Sequence, residues 1–152
     1  MRLSEQLRPH RPELVCGPLL GGALLAHSVA VTLGAEFCFS QPGPPAQEAG
    51  LFRARYLLPA AFRSRVQGRR VAIVDDVLSA GSSVRATDTE LRSHGSVPVA
   101  VGALLVLGDL GVRHFAEERL PVEGVVREAL ELWTPSECPL CAKGVALEHL
   151  AG

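Results

Sequence analysis

Residues 71–84 read Val-Ala-Ile-Val-Asp-Asp-Val-Leu-Ser-Ala-Gly-Ser-Ser-Val. Four apolar residues run into Asp75 and Asp76, and a small, hydroxyl-rich turn follows, Ser79-Ala80-Gly81-Ser82-Ser83. Adjacent acids at the mouth of a buried strand repel one another and are costly unless a hydroxyl or a cation meets them. Vicinal sugar hydroxyls are suitable donors to a carboxylate, and a nearby Mg2+ would relieve the repulsion. The turn leads into a helical pattern, so its N–H groups, its hydroxyls and the helix dipole suit a phosphate. Small residues there let the backbone approach a ligand closely. The chemistry implied is a phosphosugar site, against the alternative of a solvated strand-end pair. The Walker spacing with its lysine and the Gly-x-Gly-x-x-Gly dinucleotide pattern are both absent.

A strand over Arg69–Asp75 and a helix over Ser83–His94 must hold these residues, with Ser82 or Ser83 as N-cap and Gly95 as the stop. Upstream, the pattern predicts a short helix at Leu3–Arg8, a strand at Glu13–Cys16 and an apolar helix at Ala23–Leu33 ending at Gly34. Glu36–Ser40 reads as a strand and Gln41–Gly50 as a mobile Pro/Gly-rich loop. Leu51–Leu58 alternates as a half-exposed strand. Downstream come a strand at Val97–Leu107, a short helix at Gly111–Glu118, strands at Val122–Val126 and Ala129–Trp133, and a helical turn after Pro135. Strands alternating with helices predict a single α/β domain over residues 1–152 with a mainly parallel sheet. Ligands bind at the carboxyl ends of such strands. The Gly-rich turn after Cys16, Gly17-Pro18-Leu19-Leu20-Gly21-Gly22, falls at that end too.

The bulk numbers exclude more than they identify. With 47% hydrophobic residues, 20% charged and a net charge of −1, nothing drives the chain toward DNA or a membrane surface. Met1–Pro12 carries no apolar run of a secretory signal. Pro18–Leu33 is too short and too broken to span a bilayer. A cytoplasmic location follows, with Cys16 and Cys38 as reduced core residues. Cys138-Pro-Leu-Cys141 is either half of a zinc site, with His149 or a symmetry mate adding ligands, or two thiols in a terminal turn.

Val71–Val84 resembles the phosphoribosyl-diphosphate (PRPP) motif of type I phosphoribosyltransferases, in which two acids follow an apolar strand and precede a Thr/Ser/Gly loop. The resemblance implies that Asp75 and Asp76 are the catalytic acids and contact the ribose hydroxyls. It also implies that Ser79, Ala80, Gly81, Ser82 and Ser83 hold the 5′-phosphate. Gly17, Pro18, Leu19, Leu20 and Gly21 look like the family's pyrophosphate loop, with Arg53 and Arg55 as arginines for the diphosphate. Glu137-Cys138-Pro-Leu-Cys141-Ala-Lys-Gly144 is similar to the C-terminus of a subset of bacterial orotate phosphoribosyltransferases. The implied protein transfers phosphoribose from PRPP to a nucleobase, orotate first, with Mg2+ reaching the site through PRPP near Asp75 and Asp76. The family also implies a homodimer, here with a reduced hood, an N-terminal helix (1–12) and a C-terminal tail (135–152).

Three places depart from the orotate branch. Phe37-Cys38-Phe39-Ser40-Gln41 lacks its lysine, Leu107-Gly108-Asp109-Leu110-Gly111 lacks its Asp-Arg pair, and residues 41–67 contain no lysine. Arg53, Arg55, Arg63, Arg65, Arg69 and Arg70 cluster just before the 71–84 motif, as a solvated basic face or as diphosphate contacts. The rival reading is a PRPP-binding regulator on the same fold.

Overall fold

The computed structural model describes residues 1–44, 54–131, 133 and 136–146. Six strands form one sheet: β1 (Leu14–Pro18), β2 (Glu36–Pro42), β3 (Tyr56–Leu57), β4 (Arg70–Leu78), β5 (Val97–Leu107) and β6 (Val122–Glu128). Their order is β3-β2-β1-β4-β5-β6. All pairs are parallel except the short β2–β3 pair. This is the α/β, mainly parallel sheet that the alternating pattern predicts.

Apolar strands need cover on both faces, and helices supply it. On one face α1 (Arg2–Leu7) and α2 (Gly21–Leu33) bury Leu3, Leu7, Leu25 and Val29 against Val15, Ala72, Val74 and Ala100. On the other, α3 (Ala60–Val66), α4 (Ser82–Ser93) and α5 (Leu110–Glu117) bring Val66, Val84, Leu91 and Phe115 onto Cys16, Ile73, Val101 and Val106. Gly34 closes α2 in the left-handed region at φ 70°, where glycine is free of the Cβ penalty.

Several boundaries differ from the sequence reading. β4 runs on to Leu78, so the acid pair lies inside the strand rather than at its mouth. Of Leu51–Leu58 only Tyr56–Leu57 is strand among the described residues, and residues 45–53 lie outside them. Residues 129–131 are not strand, because β6 ends at Glu128. Helix α3 carries no helix in the sequence reading, where its basic residues mask Phe62 and Val66, which lie one turn apart and face the core. A last helical turn, α6, spans Pro139–Ala142. Among the described residues no helix is long and apolar enough to cross a membrane.

Candidate active site

The strand order reverses between β1 and β4, and an open α/β sheet has its crevice at such a point. The lengths sharpen it. β1 pairs with β4 only as far as Ile73, whereas β5 follows β4 to Leu78. Beyond Ile73, one side of β4 is left to the start of α2.

Asp75 and Asp76 stand at this gap. Asp75 is 7% exposed, and Asp76 is exposed. Ser83 Oγ donates to Asp75 Oδ2 at 2.7 Å, and the Asp76 N–H donates to Asp75 Oδ1 at 3.0 Å. Burial pushes the Asp75 carboxyl up to about 6; the Ser83 hydrogen bond pulls the other way. The glycines of the preceding turn make room for the acids. A Cβ on Gly21 would lie 2.5 Å from Asp76 Oδ2, and one on Gly22 would lie 2.8 Å from Asp75 Oδ1.

The 17–22 segment divides in two. Gly17 and Pro18 are strand residues paired with Phe39 and Ser40. The Leu19 N–H donates to the Ser40 carbonyl at 2.8 Å, and the Leu19–Leu20 peptide is cis. Leu20 is the N-cap position of α2, with no side-chain cap. The first N–H groups of a helix, here from Gly21 onward, have no intrahelical partner. Gly22, next in line, belongs to this group, and its close approach to Asp75 is the signal that singles it out.

The 79–83 turn follows the strand directly. Gly81 is the N-cap position of α4 at φ 77°. Neither serine is the N-cap, because the helix starts at Ser82 and its N-cap position is Gly81, which has no side chain; the Ser83 hydroxyl holds Asp75. That leaves the first-turn N–H groups of a 12-residue helix for an anion. A cavity of about 430 Å3 lies over the turn, bounded also by Ala54, Tyr56 and Val77. Ser40 Oγ and Thr87 Oγ1 are 2.7 Å apart, and Thr87 donates to the Ser83 carbonyl at 2.8 Å, tying α4 to β2.

The arginine cluster splits. Arg65 and Arg69 pair with Glu36, while Arg70 donates to the carbonyls of His10 and Arg11, all at the amino ends of the strands. Arg55 is exposed beside Tyr56 in an adjoining cavity of about 450 Å3, also lined by Ser82 and Arg85. Arg53 lies outside the described residues.

Two residues that the sequence reading does not single out belong here. Tyr56 on β3 donates its hydroxyl to the Leu19 carbonyl at 3.5 Å, bridging the two turns. Burial and then the charge of Asp75 hold its phenol above the ordinary value. Arg113 lies one turn along α5 from Asp109, with its Nη2 3.1 Å from the carboxylate. This ion pair is exposed and spans one helical turn. It lines a cavity of about 410 Å3 with Gly108, Leu110, Glu131 and Trp133. The Gly111 N–H donates to the Ser79 carbonyl at 3.1 Å, joining this cavity's wall to the 79–83 turn.

No protein-family model matches the chain. Among curated proteins, it is 30% identical over 145 residues to the orotate phosphoribosyltransferase of Caldanaerobacter subterraneus subsp. tengcongensis, covering 95% of this chain and 69% of the relative. It is 31% identical over 150 residues to the orotate phosphoribosyltransferase of Thermotoga petrophila, covering 96% and 71%. Among solved structures, the adenine phosphoribosyltransferase of Thermoanaerobacter pseudethanolicus superposes with a TM-score of 0.69 at 22% identity, covering 84% of this chain and 76% of that one. The orotate phosphoribosyltransferase of Aeropyrum pernix gives 0.60 at 22% identity, covering 78% and 62%.

Proposed function

The chain belongs to the type I phosphoribosyltransferases, and from that premise we propose that it transfers the 5-phosphoribosyl group of PRPP to orotate. One observation carries this: the acid pair, the glycine start of α2 and the small-residue start of α4 converge on the crevice between β1 and β4. Orotate is favoured by the names of the curated relatives and by Arg113, a cation for its carboxylate beside the flat ring of Trp133.

In this reading a ring nitrogen attacks the anomeric carbon, the bond to the diphosphate oxygen breaks, and the electron pair leaves with the diphosphate. Positive charge grows on the sugar and negative charge on the leaving group. Asp75 and Asp76 accept hydrogen bonds from the ribose hydroxyls and fix the ring. The N–H groups of Leu20, Gly21 and Gly22 face the leaving group, already oriented before the bond breaks. The starts of Ser82 and Ser83, with the Ser79, Ala80 and Gly81 backbone, hold the 5′-phosphate. Arg55 adds fixed positive charge that cannot serve as a proton donor. Tyr56, held neutral, turns its single O–H from the Leu19 carbonyl toward the diphosphate. Mg2+ suits this place, because hard carboxylate oxygens of an exposed Asp76 stand beside the diphosphate position. When bound it supplies positive charge to the diphosphate oxygens. A cytoplasmic homodimer completes the proposal.

The test is diphosphate release from PRPP and Mg2+ with orotate, uracil, adenine, guanine, hypoxanthine and xanthine in parallel. Turnover confined to orotate is expected. Turnover with a purine alone would overturn the acceptor, and PRPP binding by calorimetry with no turnover on any base would favour the regulator.

A further inference from the structure

Ser40 lies in the Phe37–Gln41 segment and takes no part in the proposed substrate contacts. It sits opposite Pro18, the last residue that β1 pairs with β2. Its backbone and its side chain are both engaged there, and each holds a different wall of the crevice. The Ser40 carbonyl accepts the Leu19 N–H at 2.8 Å, which anchors the turn into α2. The Ser40 hydroxyl lies 2.7 Å from Thr87 Oγ1 on α4. Ser40 and Thr87 are both fully buried.

The direction of these bonds follows from the hydrogens available. A hydroxyl has one hydrogen to donate, and a carbonyl has none. Thr87 Oγ1 is 2.8 Å from the Ser83 carbonyl, so the Thr87 hydrogen goes there. Ser40 must then donate to Thr87. From Ser83 the connection continues through its own hydroxyl to Asp75 Oδ2 at 2.7 Å. Bonding of a helical threonine to the carbonyl four residues earlier is ordinary and needs no partner from another element. Ser40 adds such a partner. It lies two residues beyond Cys38, on the strand face that packs with Val84 and Leu91 of α4. Packing alone would be served there by an apolar side chain, with no buried hydroxyl to satisfy.

We propose that Ser40 is a positioning residue for PRPP. Its carbonyl sets the diphosphate turn, and its hydroxyl, through Thr87, sets the start of α4 where the 5′-phosphate and Asp75 lie. This rests on the PRPP reading of the crevice. A ligand that spans both walls depends on their spacing, whereas one that touches a single wall does not. Ribose 5-phosphate needs only β4 and the start of α4, which are consecutive in the chain. Diphosphate needs only the start of α2. PRPP needs both at once.

Calorimetry on the full chain with Mg2+ measures PRPP, ribose 5-phosphate and diphosphate binding. The proteins compared are the wild type, Thr87→Val, Thr87→Ser and the double variant Ser40→Ala/Thr87→Val. Valine keeps the shape of threonine and removes the hydroxyl; serine keeps the hydroxyl. PRPP affinity is expected to fall about tenfold in Thr87→Val and in the double variant, the worth of one hydrogen bond. In Thr87→Ser it should stay within about threefold of the wild type, and the two fragments should bind all four proteins within about threefold. The double variant leaves no hydroxyl unpaired, so its urea midpoint should return toward the wild type while its PRPP affinity does not. That split separates positioning from mere stability. Wild-type PRPP affinity in the double variant, equal losses for PRPP and both fragments, or Thr87→Ser weaker than Thr87→Val would overturn the role of Ser40 and leave the PRPP reading standing. A wild type that does not bind PRPP would overturn the PRPP reading, and the role of Ser40 with it.

Discussion

Asp75→Asn should make the folded chain more stable while abolishing its use. Asp75 is 7% exposed, and burial pushes its carboxyl from the ordinary 3.8 up to about 6. Two units of displacement correspond to about 3 kcal/mol of unfavourable charge burial at neutral pH. The sign follows from proton binding. Between roughly pH 4 and pH 6 the unfolded chain releases this proton while the folded chain keeps it. Wild-type stability therefore falls across that window and is level above it, as far as this group is concerned. An asparagine carries no such charge, and Ser83 can donate to its amide oxygen as it donates to Asp75 at 2.7 Å. Allowing for an imperfectly matched amide, the variant should gain about 2–3 kcal/mol at pH 8 and almost nothing near pH 4.

Urea melts of both proteins at pH 4.5 and pH 8 measure the difference, in which the other carboxylates cancel. At pH 8 the gain corresponds to roughly 5–10 °C in Tm for a domain of this size. Adding PRPP and Mg2+ should erase this difference. A ligand at a hundred times its Kd adds about 2.7 kcal/mol to a protein that binds it, and the variant should gain little. A variant less stable than wild type at pH 8, or a difference that does not change with pH, would refute the assignment of a buried, charge-strained Asp75.

Gly22→Ala should cost about 1–3 kcal/mol, read by urea melt, because its Cβ would lie 2.8 Å from the Val74 carbonyl oxygen and 2.7 Å from Pro18 Cδ. Tyr56→Phe should raise the KM for PRPP about tenfold, the value of one hydrogen bond to a charged ligand, and leave the melting temperature within a degree or so. Arg113→Ala should raise the KM for orotate by roughly ten- to a hundredfold with the KM for PRPP unchanged; equal effects on both would remove Arg113 from the acceptor cavity.

The candidate sugar-phosphate site was legible because it is local. A buried strand, two acids, a small turn and a helix lie within fourteen consecutive residues, and each obeys a short-range rule. The parallel sheet was legible for the same reason, from alternation alone. Arg113 and Tyr56 were not, because packing brings them to their places. Arg113 is invisible to a search for an Asp-Arg dipeptide, since helical spacing rather than adjacency brings it to Asp109. Tyr56 sits on a two-residue strand that exists only through pairing with Gln41 and Pro42 on β2. Helix α3 was hidden by arginines whose partners, such as Glu36, are distant in sequence.

The register of one strand pair explains why these pieces meet. If β1 continued beside β4 past Ile73, the backbone around Asp75 would be closed on both sides and the acid pair would have no opening. Because β1 turns away at Pro18, the gap is filled by the start of α2. Only residues without side chains fit there: at Gly21 and Gly22 a Cβ would collide with the carboxylates themselves. The helix-start N–H groups have no side-chain cap on either wall, because the N-cap positions are Leu20 for α2 and Gly81 for α4. A raised-pKa carboxyl and two open helix starts are each unfavourable in the free protein. On the proposed function, a molecule with hydroxyls in its middle and phosphates at both ends would relieve all three together.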